Sequence, residues 1–136
     1  MAKRQIQVAE ILLNIEAEMR RISLWSTQRP AGDKLHSLLP FCYDTLTIEQ
    51  WLQWILLPRM RHILEQDLDL PEQSDIHPYA EEFLTDRPAD TLQLLRLIKQ
   101  FDELFAWDLL NTLEQGKLLG YSQKRINNRY QADHHD

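Results

Sequence analysis

The sequence predicts an all-α, single-domain bundle of about four helices, with a long ordered connection after the first helix. Only three glycines occur in 136 residues, whereas a β fold with many turns needs more of them. Residues with high helix propensity, such as Leu, Glu, Gln and Arg, are abundant. Apolar residues recur at steps of three and four, the spacing that places side chains on one face of a helix.

The first predicted helix runs from about Lys3 to Trp25. Its apolar stripe consists of Val8, Leu12, Ile15, Met19 and Ile22. A connection over residues 26–44 follows, and it contains Pro30 and Pro40, which are typical of loops. The second half of this connection is unusually apolar, so we expect it to pack against the bundle.

The second predicted helix begins at Thr47. Thr47 and Gln50 have the spacing of a capping box, in which each side chain accepts a hydrogen bond from the other residue's backbone N–H. The helix ends before Asp67. Pro58 lies inside it and lacks a backbone donor, so we expect a kink near Trp54, four residues earlier. Apolar residues cover nearly every face before Pro58, which is typical of a helix that is central or reserves one face for a partner.

Two further helices are predicted after an acidic loop. The third is short, from about Pro78 to Leu84, with proline in its first turn. The fourth opens around Pro88 and ends near Phe105 or, if later apolar residues extend it, at Gly116. Its apolar stripe consists of Leu94, Ile98, Phe101 and Phe105.

Charge and order are predicted to differ along the chain. Residues 1–106 form the helical domain, 107–121 a helical extension, and 122–136 a polar, disordered tail. The net charge is −6, and residues 116–136 carry four basic and two acidic side chains, so the rest carries −8. Nucleic-acid binding depends on positive side chains that neutralise the phosphates. Because most of this chain is acidic, we expect direct RNA contact to be weak.

No catalytic, cofactor or metal motif is predicted. Cys42 is the only cysteine, which excludes an intramolecular disulfide and fits a reducing compartment. The five histidines form no HxxxH or HExxH pair, and the glycines are too sparse for a phosphate-binding loop. Adjacent carboxylates at Glu81-Glu82 and Asp102-Glu103 point to different helix faces, so we predict that they are solvated. We therefore expect a protein that is not an enzyme and needs no cofactor or metal.

Nothing in the sequence predicts membrane attachment. No apolar run approaches the roughly 20 residues that a transmembrane helix needs. Charged residues interrupt the stretch after Met1 where a secretory signal would need an apolar region. We therefore expect a cytoplasmic protein.

Six aromatic and arginine residues form a candidate partner surface. They come from the end of the connection and from the second helix: Phe41, Tyr43, Trp51, Trp54, Arg59 and Arg61. Trp and Arg are enriched at the energetic centres of protein interfaces. The alternative is that the indoles fill the hydrophobic core. A helix that is apolar on all sides is hard to bury in a small domain, so we predict that part of this surface binds a partner.

Four segments of the chain carry a resemblance to a known family. They are residues 41–46 (FCYDTL), 49–60 (EQWLQWILLPRM), 77–79 (HPY) and 92–105 (LQLLRLIKQFDELF). Together they resemble the signature of the YqcC-like family over about residues 4–106. The resemblance implies a small bacterial all-α bundle that is associated with tRNA pseudouridine synthase C. It therefore implies an accessory partner of a tRNA-modifying enzyme.

Two functional hypotheses follow from the sequence. The first is a non-catalytic, protein-binding accessory module for tRNA pseudouridine modification. Synthases of that type carry a catalytic Asp within an Arg-Leu-Asp sequence on a larger mixed sheet, and no Arg-Leu-Asp occurs here. The alternative is a self-associating bundle of unknown role, in which the second helix closes a homodimer.

Overall fold

A computed structural model describes the backbone of residues 3–84 and 88–114, and the side chains of residues 3–84 and 90–105. Every regular element within these ranges is helical, which confirms the predicted all-α class. The elements are α1 (Lys3–Arg21), 3₁₀ turns at Gly32–His36 and Pro40–Cys42, α2 (Ile48–Trp51), a π-helical turn (Leu52–Leu56), α3 (Leu57–Glu65), α4 (His77–Phe83) and α5 (Pro88–Glu114). The helix α2, the π turn and α3 are continuous, and we call this segment the second rod. With α1, α4 and α5, the described ranges therefore contain four helical rods.

The helix α1 ends about one turn earlier than predicted. The N–H of Leu24 donates to the carbonyl of Met19 at 2.8 Å, and the N–H of Ser23 donates to that of Arg20 at 3.2 Å. These are the two hydrogen bonds of a Schellman motif. Ser23 takes a φ of 65°, a conformation that glycine usually supplies. The prediction missed this end because a serine gives no such signal.

The two ends of the second rod follow the prediction. Thr47 Oγ1 accepts from the N–H of Gln50 at 3.3 Å, and Gln50 Oε1 accepts from the N–H of Thr47 at 2.9 Å. This confirms the capping box. At the other end Asp67 has a φ of 52°, and the N–H of Leu68 donates to the carbonyl of Ile63 at 2.9 Å. Another Schellman-type turn therefore stops the helix just before Asp67.

The irregularity expected near Trp54 takes the form of the π turn. The N–H of Leu57 donates to the carbonyl of Leu52, five residues earlier. Pro58 has no N–H for the carbonyl of Trp54, and its ring crowds that carbonyl. A π turn widens the helix by one residue at the point where the regular ladder is interrupted.

Gln53 lies in this π turn and anchors the long connection. The side chain is buried, and its amide pairs with both backbone groups of Ser26. Gln53 Nε2 donates to the carbonyl of Ser26 at 2.7 Å, and Gln53 Oε1 accepts from the N–H of Ser26 at 2.9 Å. The start of the connection is therefore held against the second rod.

We expect Gln53→Ala to lower the free energy of unfolding by about 1–2 kcal/mol, because both backbone groups of Ser26 lose a partner at a partly buried position. Urea denaturation followed by circular dichroism measures this change. Gln93→Ala, on the exposed face of α5, is the matched control and should change stability by less than about 0.5 kcal/mol. Equal losses in the two variants would contradict the anchoring role.

The core lies between α1, α3 and α5. The helix α1 packs against α5 and α3, and α4 packs against α5. Both predicted stripes are buried, and Phe101 and Phe105 are the largest side chains that are fully enclosed. The helix α5 continues past Phe105 to Glu114, so the shorter predicted end near Phe105 is wrong, and the longer predicted end at Gly116 lies outside the described residues. The division into three segments stays a prediction, and the predicted tail at 122–136 lies outside the described residues.

Candidate partner-binding surface

A row of four aromatic rings in mutual contact leads from the core to the surface. Phe41 meets Trp51 edge-on, with ring centroids 4.9 Å apart, and stacks on Tyr79 at 4.4 Å. Tyr79 in turn lies 4.5 Å from Phe83. Trp51 is only 9% exposed, whereas Phe83 is 53% exposed. We call Trp51, Phe41, Tyr79 and Phe83 the aromatic row, and its outer end is open to solvent.

The backbone at Phe41 is strained. Phe41 and Cys42 have φ angles of 56° and 49°, and a residue other than glycine held in this region costs about 1–3 kcal/mol. The carbonyl of Cys42 accepts from the N–H groups of Thr45 and Leu46 at 2.9 and 2.8 Å. These hydrogen bonds and the ring contacts of Phe41 hold the turn in place. In this strained conformation the Phe41 ring lies between Trp51 of α2 and Tyr79 of α4.

The apolar half of the connection packs only in part, so the prediction that it packs against the bundle is wrong for several of its residues. Cys42 is buried and Phe41 is half-buried. Leu38 and Tyr43, however, are 95% and 55% exposed, and Leu39 is exposed as well. The 3₁₀ turn at Pro40–Cys42 directs its own side chains inward and leaves its neighbours in solvent.

An apolar groove of about 440 Å³ lies beside the aromatic row. It runs between the connection, the second rod and the loop before α4. Its apolar lining includes Leu35, Leu39, Trp51, Leu56, Met60, Phe101 and Phe105. Arg59, Gln73 and Asp75 also line it. Gln73 Oε1 is buried and accepts no hydrogen bond within the described part of the chain, so the groove contains an unused acceptor.

Asp102 accepts hydrogen bonds from Ser74 and Ile76, which line this groove. The prediction that Asp102 is solvated is wrong, because its side chain is buried. It is buried on α5 and accepts from Ser74 Oγ at 2.6 Å and from the N–H groups of Ile76 and His77 at 3.1 and 2.8 Å. Burial raises the pKa of Asp102, and these hydrogen bonds oppose the shift. Glu103, its neighbour in the sequence, is exposed as predicted.

The role of Asp102 follows from the start of α4. No side chain next to α4 in the sequence caps it, although the first N–H groups of a helix need acceptors. Asp102 supplies that acceptor from another helix. Ser74 and Asp75, which are residue types that favour N-caps, precede Ile76 in the sequence, so no local signal indicated that the acceptor comes from Asp102.

The six candidate residues have different environments. Trp51 is buried, Tyr43 is exposed, and Phe41 lies between Trp51 and Tyr79 in the aromatic row. Trp54 is half-buried, and its buried Nε1 has no hydrogen-bond acceptor within the described ranges. Arg59 is exposed at the groove. Tyr79 and Phe83 belong to the same surface but were missed, although their i, i+4 spacing on α4 places them on one helix face.

Arg61 is engaged within the chain. It forms an ion pair with Glu16 on α1, and Glu16 also pairs with Arg20 at 3.0 Å. Desolvation raises the pKa of Glu16, but the hydrogen bonds and charges of Arg61 and Arg20 outweigh it and lower the pKa overall. Arg61 therefore ties α3 to α1 and is less available to a partner than Arg59.

The described residues contain neither a metal-binding cluster nor a membrane-spanning helix. No three His, Cys, Asp or Glu side chains in these ranges are placed to hold a metal ion. No helix in them is long and apolar enough to cross a membrane. The predictions about metals, cofactors and cellular location stay predictions.

The fold and this surface define a small helical bundle with an exposed aromatic row and an apolar groove. The chain belongs to the DUF446 family, whose sequence profile is described as "tRNA pseudouridine synthase C" and matches residues 7–104. An uncharacterized protein of Haemophilus influenzae is 36% identical over 98 residues, which span 72% of this chain and 92% of that protein. Together with the match to YqcC described next, these matches confirm the predicted resemblance to the YqcC-like family.

Two further relatives extend the comparison. The solution NMR structure of YqcC from Escherichia coli matches with a TM-score of 0.68 and 30% identity, covering 77% of this chain and 90% of that chain. A protein of Pectobacterium carotovorum named tRNA pseudouridine synthase C is 40% identical over 68 residues. That match spans 50% of this chain but only 18% of the Pectobacterium protein.

Proposed function

We propose that this chain is a non-catalytic accessory module that binds a tRNA pseudouridine synthase through the aromatic row and the apolar groove. The exposed end of the row carries this proposal. Phe83, at the outer end of the row, is 53% exposed, and Phe41 and Trp51, at its inner end, line the apolar groove. Tyr43, which is 55% exposed, lines a neighbouring cleft together with Phe41 and Tyr79. Clusters of exposed apolar surface mark interaction sites, and aromatic side chains are typical anchors of protein interfaces.

The groove can receive an apolar side chain of a partner and can favour one orientation of that partner. An apolar side chain that enters it would cover the partly exposed Leu35, Leu39 and Phe41 and displace water from their apolar surface. Arg59 adds a positive charge at the groove, and charge at an interface favours one orientation of the partner.

The identity of the partner rests on the family description and on the Pectobacterium relative. In that relative, the matching segment is less than a fifth of a chain that carries the synthase name. Two modules that share one polypeptide meet at a high effective concentration. Separate chains need an interface for the same association, and the row and groove would supply it.

Binding to the synthase is the first test. The purified chain is titrated into the synthase of the same organism by isothermal calorimetry, and pseudouridine formation in tRNA is measured with and without the chain. We expect a complex, and Phe83→Ser should weaken it about 10- to 30-fold, because interface anchors contribute the most binding energy.

The matched control is Leu13→Ser on α1, which removes an apolar side chain that is 63% exposed, compared with 53% for Phe83. It should change the affinity by less than about twofold, as expected outside an interface. Absence of a complex would sink the proposal. Pseudouridine formation by the isolated chain would contradict its non-catalytic part.

The alternative is a homodimer closed by the same surface. An apolar groove beside exposed aromatic rings is the observation that favours it. A two-fold dimer, however, places the same patch of both copies together, so Asp75 and Glu82 beside the row would face their own copies, and like charges oppose contact. Sedimentation velocity at micromolar concentration decides: a dimer that Phe83→Ser dissociates would favour the alternative.

A further inference from the structure

A second cleft, with a volume of about 290 Å³, shares Phe41 with the apolar groove. We call it the acidic cleft. Its aromatic wall consists of Phe41, Tyr43 and Tyr79, and its charged side chains are Asp75 and Glu82. Phe41 and Asp75 also line the apolar groove, so the two cavities are neighbours that share a wall.

The charge around this cleft has a single sign. Two carboxylates line it, and no Lys, Arg or His does so among the described residues. Burial raises the pKa of Tyr79, and the negative charge of Glu82 raises it further. The chain outside residues 116–136 carries a charge of −8, so the wider surroundings add to the negative potential.

We propose that the acidic cleft receives an arginine or lysine side chain of the partner protein. A cation near an aromatic ring is attracted by the negative potential of the ring face. Tyr43 is more than half exposed, so its ring is open to such a contact, while the exposed Glu82 supplies an acceptor. A guanidinium offers five N–H donors in one plane, which suits carboxylates and rings within one small volume.

Other ligands fit this cleft less well. Phosphates of RNA would meet two carboxylates and repulsion, because nucleic-acid binding depends on neutralising phosphate charge. A second copy of this chain would bring a surplus of negative charge. A basic protein surface has the complementary sign, and enzymes that hold tRNA need such surfaces for the phosphates.

The inference rests on the proposed function for the identity of the partner, but the chemistry of the cleft can be tested without the synthase. The probe is a short, blocked arginine–alanine peptide, and its control is the same peptide with citrulline, which keeps the shape of arginine and lacks the charge. Aromatic NMR resonances of Tyr43 and Tyr79 are followed during each titration. We expect shifts with the arginine peptide only, and salt should weaken them.

Variants in neighbouring positions of α4 make the test specific. Glu82→Gln should weaken binding of the arginine peptide, and of the synthase, about 5-fold or more, because the cation loses a carboxylate beside the rings. Glu81→Gln makes the same charge change on an exposed neighbour that does not line the cleft, and it should change either affinity by less than about twofold. Both positions are exposed, so both variants should fold.

The outcomes separate the two proposals. Equal shifts with citrulline, no shifts at millimolar arginine peptide, equal effects of the two variants, or tRNA that competes at the Tyr43 and Tyr79 resonances would each overturn the acidic-cleft inference. Arginine-specific shifts without any synthase complex would instead overturn the proposed function and leave the cleft chemistry standing. A synthase complex that Phe83→Ser weakens but Glu82→Gln does not would support the function and reject the cleft.

Discussion

Replacing Asp102 with alanine is expected to lower the free energy of unfolding by about 2–4 kcal/mol. The side chain of Ser74 and the N–H groups of Ile76 and His77 all donate to this buried carboxylate. Each buried donor left without an acceptor costs about 1–3 kcal/mol, and removal of a desolvated charge offsets part of that loss. Urea denaturation measures the difference.

Glu103→Ala is the matched control for this prediction. Glu103 is the next residue on α5 and is exposed, so its removal should change stability by less than about 0.5 kcal/mol. Because Ser74 and Ile76 line the apolar groove, Asp102→Ala should also weaken synthase binding at temperatures where the variant is still folded. A variant as stable as the Glu103 control would show that Asp102 does not hold α4 in place.

The same pair of proteins gives a pH test with a defined sign. Burial raises the pKa of Asp102 above its ordinary value of 3.8 in the folded state. The folded protein therefore binds this proton more readily than the unfolded chain does. The associated stability is fully present below the unfolded pKa and is lost as the pH rises through the folded pKa.

We therefore expect the stability difference between the wild type and Asp102→Ala to be larger near pH 4 than at pH 7. Glu16 and Glu18, whose pKa values are lowered, lose their contribution as the pH falls through their folded pKa values. They are present in both proteins, so their effect cancels in the difference. A difference that shrinks on acidification would mean that the hydrogen bonds outweigh burial and lower the pKa of Asp102.

Phe105→Ala is expected to lower the free energy of unfolding by about 3–5 kcal/mol, the usual range for a buried phenylalanine replaced by alanine. Phe105 is completely buried, and its ring centroid lies 5.0 Å from that of Phe101. The guanidinium of Arg4 sits over the same ring at 5.0 Å. The substitution would open a cavity at the base of the apolar groove and remove both ring contacts.

Two controls define this prediction. Phe105→Leu keeps most of the apolar volume and should lose less stability than the alanine variant. Phe83→Ala removes the same side chain from the exposed end of the aromatic row and should change stability by less than about 1 kcal/mol. Denaturation of the three variants under identical conditions provides the comparison. If Phe83→Ala were as damaging as Phe105→Ala, the exposed end of the row would be structural, and the proposed interface would lose its basis.

Much of the fold could be predicted because its signals are local. The capping box of Thr47 and Gln50 set a helix start, and Pro58 indicated an irregular turn at the right place. The ends at Ser23 and Asp67 differ in how well they were predicted. Both residues take a left-handed backbone conformation, but the loss of apolar periodicity marked only the second end.

The candidate surface was predicted in part. Phe41 and Tyr43 were selected by their aromatic character, and both line the acidic cleft. Tyr79 and Phe83 were not selected, because their importance depends on the stacking of Tyr79 on Phe41, 38 positions away in the chain. Arg61 was selected by residue type alone, and its ion pair with Glu16 could not be read from α3.

The sequence by itself determined the helical class, the positions of the rods and the residues of the core, because periodicity and capping act over a few neighbouring residues. The tertiary structure alone decided which polar side chains are buried. Asp102 caps a helix that begins 25 residues earlier, and Gln53 pairs with a backbone 27 residues away. Such contacts form between residues that only folding brings together, so no local pattern specifies them. They also shape the groove and the cleft on which the proposed interactions depend.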